Sequence, residues 1–141
     1  MTEERRPPFP DLVALARLRF AARMRTSLFD LGFGNFRRGD GAWVRILADR
    51  PCAPSELASI VGVSPQAVTK AADSLEERGY IVRRPDPDDR RRILLELTER
   101  GAAYAEAVDA VVGGLDEELR RSVASEDLEA AYRVLNAVLA E

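Results

Sequence analysis

Residues 54–98 constrain this chain more tightly than any other stretch, because successive local signals fix where its helices stop and start. The run 54–61 has helical apolar spacing, with Leu57, Ala58 and Ile60 or Val61 facing inward, and Gly62 supplies a turn that lets two helices cross. Ser64 can accept from a free amide one turn on, and Pro65 suits the first helical position, where its missing N–H costs nothing. From there Val68, Ala71, Ala72 and Leu75 recur at helical spacing. That inward stripe leaves Gln66, Thr69, Lys70 and Asp73 pointing outward. Gly79 follows as the helix cap.

Beyond Gly79, residues 80–84 and 92–97 are rich in β-formers and flank 85–91, a strong turn signal, so a long hairpin is predicted. Its tip carries Arg90 and Arg91 beside Asp88 and Asp89. An acid there can hold one guanidinium in a single pose while the other enters a narrow minor groove. Two readings stay open: a pair of packed helices with a solvated charged loop, or a unit that fits a DNA groove. In the second, side chains of the first two helical turns reach base edges. Gln66 can then pair with adenine, Thr69 can touch thymine or a phosphate, and Lys70 can meet guanine or phosphate.

The runs Ser55-Glu-Leu-Ala58, Gly62-Val-Ser64 and Leu75-Glu-Glu-Arg-Gly79 lead to Asp86-Pro-Asp-Asp-Arg-Arg91, then Leu97-Thr98 and Gly101. Over residues 41–101 this pattern resembles the winged helix-turn-helix of the multiple-antibiotic-resistance regulator (MarR) family. The resemblance implies a mainly α fold with a small β-hairpin wing and flanking dimerisation helices. It also implies a homodimeric transcription factor, mostly repressing, whose partner is double-stranded DNA. On this chain Ser64, Pro65, Gln66, Thr69 and Lys70 would read the major groove, with Asp89, Arg90 and Arg91 at the wing. A two-fold dimer would place the two reading faces one helical turn apart, ~34 Å, on an inverted repeat. Members of the family often release DNA on sensing a small phenolic or lipophilic effector, or an oxidant. Ala53 departs from the pattern, which commonly has a capping hydroxyl there; Pro54, as a first-turn residue, compensates.

The net charge of −3 conflicts with DNA binding, since phosphate contacts want positive charge. Distribution resolves the conflict. From Gly101 onward Arg120, Arg121 and Arg133 oppose nine acids, whereas the 83–92 segment is locally basic, and screening confines such effects to ~8 Å. No histidine and one cysteine leave no disulfide framework, no obvious metal site and no nucleophile–base pair, so neither a cofactor nor an enzyme is expected. No apolar run approaches the ~20 residues needed to span a bilayer. A cytoplasmic protein without a membrane partner is expected. A winged-helix module used for protein contacts is the competing class, and it should lack a steep salt dependence on duplex DNA.

Residues 1–10 read as a proline-rich arm with little structure of its own. Asp11 is placed to cap a helix on which Leu12, Leu15, Ala16, Leu18, Ala22 and Leu28 form one face. Arg17, Arg23 and Arg25 on its outer face are a solvated surface, dimer ion pairs or phosphate contacts. Four glycines interrupt residues 31–41, after which Trp43, Ile46 and Leu47 face inward on a further helix. By the family analogy Phe20, Met24, Phe33, Phe36 and Trp43 would line an effector cleft; the same residue types also simply fill a core. Cys52, next to Arg50, is a candidate thiolate and redox sensor, although its loop position and the lack of a second cysteine argue against it.

Thr98 is placed to cap a long helix carrying Ala103, Ala107, Val108, Val111, Val112 and Leu115, which Gly113-Gly114 interrupts. The glycines mark a close helix approach, a bend or a weakened surface position. A final helix from Ser125 presents Leu128, Ala131, Leu135, Val138 and Leu139 with no partner left in so small a lobe. The predicted organisation is an arm (1–10), dimerisation helices (11–36 and 99–141) and a DNA-binding lobe (37–98).

Overall fold

The computed structural model describes residues 6–140. Among them the order is α1 (Phe9–Asp30), α2 (Asp40–Asp49), α3 (Pro54–Val61), α4 (Pro65–Glu77), β1 (Ile81–Pro85), β2 (Ile93–Leu97), α5 (Glu99–Ser122) and α6 (Ser125–Leu139). The fold is mainly α with one antiparallel hairpin, as the sequence predicts. Ile81 pairs with Leu97 and Pro85 with Ile93, so each strand begins one residue later than expected. Cys52 adds a lone bridge to Leu95 on the other edge of β2.

The helix boundaries follow from local chemistry. Ser64 Oγ accepts from the Ala67 amide at 3.2 Å, and Thr98 Oγ1 accepts from Gly101 at 3.0 Å. α4 closes with Gly79 at φ +81°, where the Tyr80 amide reaches back to the Leu75 carbonyl at 2.9 Å. Gly62 at φ +74° makes the turn between α3 and α4. At Ala53 the missing hydroxyl leaves α3 with no side-chain cap at its own N-cap; only Glu56 Oε1 faces the Ala53 amide, at 3.4 Å.

Four expectations change. α1 starts at Phe9, so residues 9–10 are helical and not part of an arm; Pro10 is accommodated in the first turn, and Asp11 lies inside the helix rather than capping it. Residues 1–5 of the expected arm lie outside the described residues. α2 starts at Asp40, which puts Gly41 inside the helix, where a Cβ would sit 3.3 Å from Val108 Cγ1 of α5. α5 runs unbroken through Gly113-Gly114, and beyond the helix's own neighbouring backbone no atom of the described residues lies within 4 Å of either Cβ position, so no other described element approaches closely there.

One core joins Leu28, Val44, Leu47, Leu57, Val68, Leu75, Ile81, Leu95 and Val108, all buried, around a stack of Phe33, Tyr104 and Tyr80. Ile60 faces solvent, so Val61 is the inward member of that pair. Asp40 is the one buried charged residue among those described. Outside this core, every residue from 11 to 20 and from 131 to 140 is exposed, including Leu15, Leu18, Val138 and Leu139. The chain exposes 10387 Å². A compact monomer of 15.6 kDa exposes about 7,200 Å². Part of this exposed area is apolar and lies on α1 and α6, where Phe9, Leu12 and Val13 face Val134 and Leu135 across an open groove and all five stay exposed. No helix among the described residues is long and apolar enough to cross a membrane.

Candidate nucleic-acid interface

The N-terminal half of α4 carries an exposed polar face because its buried side is fully taken by Val68, Ala72 and Leu75. Pro65, Gln66, Thr69, Lys70 and Asp73 border one open concavity of about 480 Å³. Ser64 stands at its lip as the cap. Thr69 Oγ1 donates to the Pro65 carbonyl at 3.1 Å, so its proton is used within the helix. Lys70 has no acid partner among the described residues. Asp73 does have one. Arg83 of β1 reaches across to Asp73 at 2.7 Å and Glu76 at 2.5 Å, and the hydrogen bond from Asp73 raises the Arg83 pKa. One guanidinium from the hairpin thereby offsets one of the two carboxylate charges on the outward side of α4 and holds both acids away from Lys70, whose own charge balances the other. Sequence reasoning missed this role of Arg83, since it depends on which side of β1 meets α4.

The hairpin tip is built from its own aspartates. Asp86 Oδ1 accepts from the Asp88 amide at 2.9 Å, and Asp89 Oδ1 accepts from the Arg91 amide at 3.0 Å. Asp89 therefore braces backbone; it does not hold a guanidinium as expected. Arg92 is drawn down to Glu56 of α3, which also takes Arg50 at 2.9 Å. Arg90 and Arg91 are the tip arginines left exposed with no acid within 4 Å among the described residues. Ser64, Pro65, Gln66, Thr69 and Lys70 thus share one face, and Asp89, Arg90 and Arg91 share the tip of the adjoining wing.

The five residues predicted for an effector cleft divide. Phe20, Met24 and Phe36 line a groove of about 520 Å³ between α1, α2 and α5, floored by Val108 and Val112. Phe33 and Trp43 do not; Phe33 stacks on Tyr104 with centroids 5.0 Å apart, and Trp43 is buried in the core. Arg17, Arg25, Arg38 and Arg45 rim the groove. Of these, Arg45 is paired, with Asp109 at 2.7 Å, and Arg23 on the same helix is tied to Glu118 within the chain.

Cys52 is buried, and its thiol donates to the Arg50 carbonyl at 3.5 Å. The Arg50 guanidinium is occupied by Glu56. The arrangement expected for a reactive thiolate, an exposed sulfur beside a free cation, is not formed. What buries it is the bridge to Leu95, which the sequence around position 52 does not announce.

Comparison with known proteins places these features in context. A MarR family model matches residues 44–92. The multiple antibiotic resistance protein MarR of Escherichia coli K12 is 32% identical over 103 residues, covering 70% of this chain and 72% of the relative. The transcriptional repressor MprA of the same organism is 46% identical over 55 residues, 39% of this chain and 31% of its own. Among solved structures, a cysteine-to-serine variant of E. coli MarR complexed with operator DNA superposes with a TM-score of 0.74 at 26% identity, covering 94% of each chain. A probable transcriptional regulator from Pseudomonas aeruginosa shares the fold at a TM-score of 0.73 and 22% identity, covering 90% of this chain and 93% of its own.

Proposed function

The chain belongs to the MarR family of transcription regulators, and from that premise we propose that it is a homodimeric repressor that grips an inverted-repeat operator through α4 and the wing. The observation that carries this is the division of labour among the arginines. Arg83 and Arg92 are spent on acids of α4 and α3, while Arg90 and Arg91 at the tip, and Lys70 on α4, are free to meet an external anion. Lys70 lies on the polar face of α4, and Arg90 and Arg91 at the tip of the hairpin whose first strand is tied to α4 through Arg83. A helix in the major groove beside an arginine in the minor groove is the contact such a surface fits. A solved relative of the same fold is complexed with operator DNA, which supports DNA as the partner.

The exposed apolar faces of α1 and α6 support a dimer through the arms, because each chain exceeds a compact monomer by ~3,100 Å², so two copies have ~6,200 Å² to cover, the scale of a large obligate interface. Bound across a promoter, such a dimer blocks polymerase. The groove between α1, α2 and α5 is where an effector acts. Its apolar floor and its three rim arginines without an acid partner among the described residues suit a lipophilic anion such as an aromatic carboxylate or phenolate. Occupancy shifts DNA affinity only as far as the effector prefers one dimer geometry over the other.

The test begins with selection of bound duplexes from a random library, followed by titration in gel-shift assays. Arg91→Ala should weaken operator binding by ~1–3 kcal/mol, the scale of a good groove contact. Gln66→Ala should change the ranking of operator variants and not only the overall affinity. Affinity for duplex should fall steeply with salt. Full affinity in Arg91→Ala contradicts the wing assignment, and a flat salt response favours a module for protein contacts.

A further inference from the structure

The end of α4 remote from the reading face is held by a buried ion pair that DNA contact does not use. Arg78, which closes α4, donates Nη1 to Asp40 Oδ2 at 2.6 Å and Nη2 to Oδ1 at 2.8 Å, with the two side chains 8% and 6% exposed. The same carboxylate accepts from the Tyr104 hydroxyl of α5 at 2.8 Å and from the Arg37 amide at 2.9 Å. Arg78 directs its remaining donors to the Ser74 carbonyl and hydroxyl and to the Asn35 carbonyl. Among the described residues no buried side-chain polar atom is left without a partner. One carboxylate is therefore shared by the start of α2, the end of α4 and the second turn of α5.

A buried ion pair is a poor source of net stability, because desolvation offsets the attraction. A bidentate fork supplies direction instead, since it is satisfied in one arrangement. That matters here because α4 packs mainly on α3 and β1, inside its own lobe, while α5 leads out to the exposed arms. The route Tyr104 to Asp40 to Arg78 ties the recognition helix to the arm. Burial and the neighbouring carboxylate hold the Tyr104 hydroxyl in its protonated, donating form.

We infer that Asp40 is a positioning residue that sets the angle between α4 and α5 and, across a dimer, the separation of the two recognition helices, so that it governs which half-site spacing is accepted. This rests on the DNA-binding dimer proposed above. Loosening the hub should leave each half-site contact intact while relaxing the demand on spacing.

The probes are the duplex recovered by selection, the same duplex with one or two base pairs inserted between its half-sites, and a single half-site. One inserted pair shifts the second half-site by about 3.4 Å and turns it by about 35°. Insertion should weaken the wild type by about tenfold or more, the scale of a lost base contact, and Asp40→Asn by less than about threefold. Tyr104→Phe, which cuts only the α5 link and keeps the aromatic stack, should fall between. Circular dichroism and sedimentation establish that each variant is folded and dimeric; if Asp40→Asn is not, Tyr104→Phe decides alone. Equal insertion penalties in wild type and folded variants overturn the proposal. So does a uniform loss on half-site and operator alike, which marks a merely structural role, or a wild type indifferent to spacing. A wild type that binds no duplex sinks the underlying reading first, and this proposal with it.

Discussion

Replacing Gly101 by alanine tests the junction on which the wing and the arm both depend. Gly101 is the third residue of α5, where its amide donates to the Thr98 cap at 3.0 Å. Thr98 in turn gives its amide to the Tyr80 carbonyl at 3.0 Å and its hydroxyl to the Gly79 carbonyl at 2.6 Å, which locks the start of α5 onto the turn between α4 and β1. A Cβ on residue 101 would overlap the Tyr80 carbonyl oxygen and stand 2.9 Å from its carbon and 3.1 Å from Leu97 Cδ2. The obstruction is backbone, so no rotamer change relieves it; the first turn of α5 has to lift from β1. Forced overpacking costs about 1–3 kcal/mol, and loss of the Thr98 to Tyr80 hydrogen bond about 1 kcal/mol more. Alanine regains about 1 kcal/mol of helix propensity. The net is a destabilisation of about 1–3 kcal/mol, or roughly 3–9 °C in Tm for a chain of this length. Urea and thermal unfolding followed by circular dichroism, with both proteins at one concentration because the proposed dimerisation would couple to stability, measure it. A Gly101→Ala protein as stable as the wild type would refute the steric reasoning.

Gly113→Ala and Gly114→Ala should behave oppositely, each adding up to about 1 kcal/mol, because their Cβ positions are open within the chain; a loss in the same unfolding assay would show that another subunit occupies that space. Val138→Asp puts a charge on the exposed apolar face of α6 and should convert the proposed dimer to monomer in sedimentation velocity while leaving far-ultraviolet dichroism intact; an unchanged dimer removes α6 from the interface. Burial, with Asp40 beside it, raises the Tyr104 pKa. The folded value thus exceeds the unfolded one, so the unfolded chain loses this proton first and stability falls as pH rises through about 10. Tyr104→Phe should flatten that alkaline decline, and an identical pH–stability curve in the variant would contradict it.

The elements and the exposed polar face of α4 were legible in the sequence because their causes are local. Ser64 with Pro65, Gly79 in the left-handed region and Thr98 before Glu99 each act on groups within five residues, so the order of residues alone places them. The unpaired apolar face of α6 was legible for a related reason: its periodicity exceeds what a small lobe can cover. Other features were decided by the tertiary structure. Phe20, Met24 and Phe36 ended on a groove while Phe33 and Trp43 ended in the core, although hydrophobicity, having no direction, ranks all five alike. Gly101 belonged to a recognisable motif, but the carbonyl that forbids a side chain there comes from Tyr80. Asp40 meets Arg78 across 38 positions, and Asp89 turned to its own backbone instead of a guanidinium. Capping and periodicity are short-range and written in neighbouring residues; burial, ion pairing and clefts depend on which distant surfaces meet, and only the packed chain settles that.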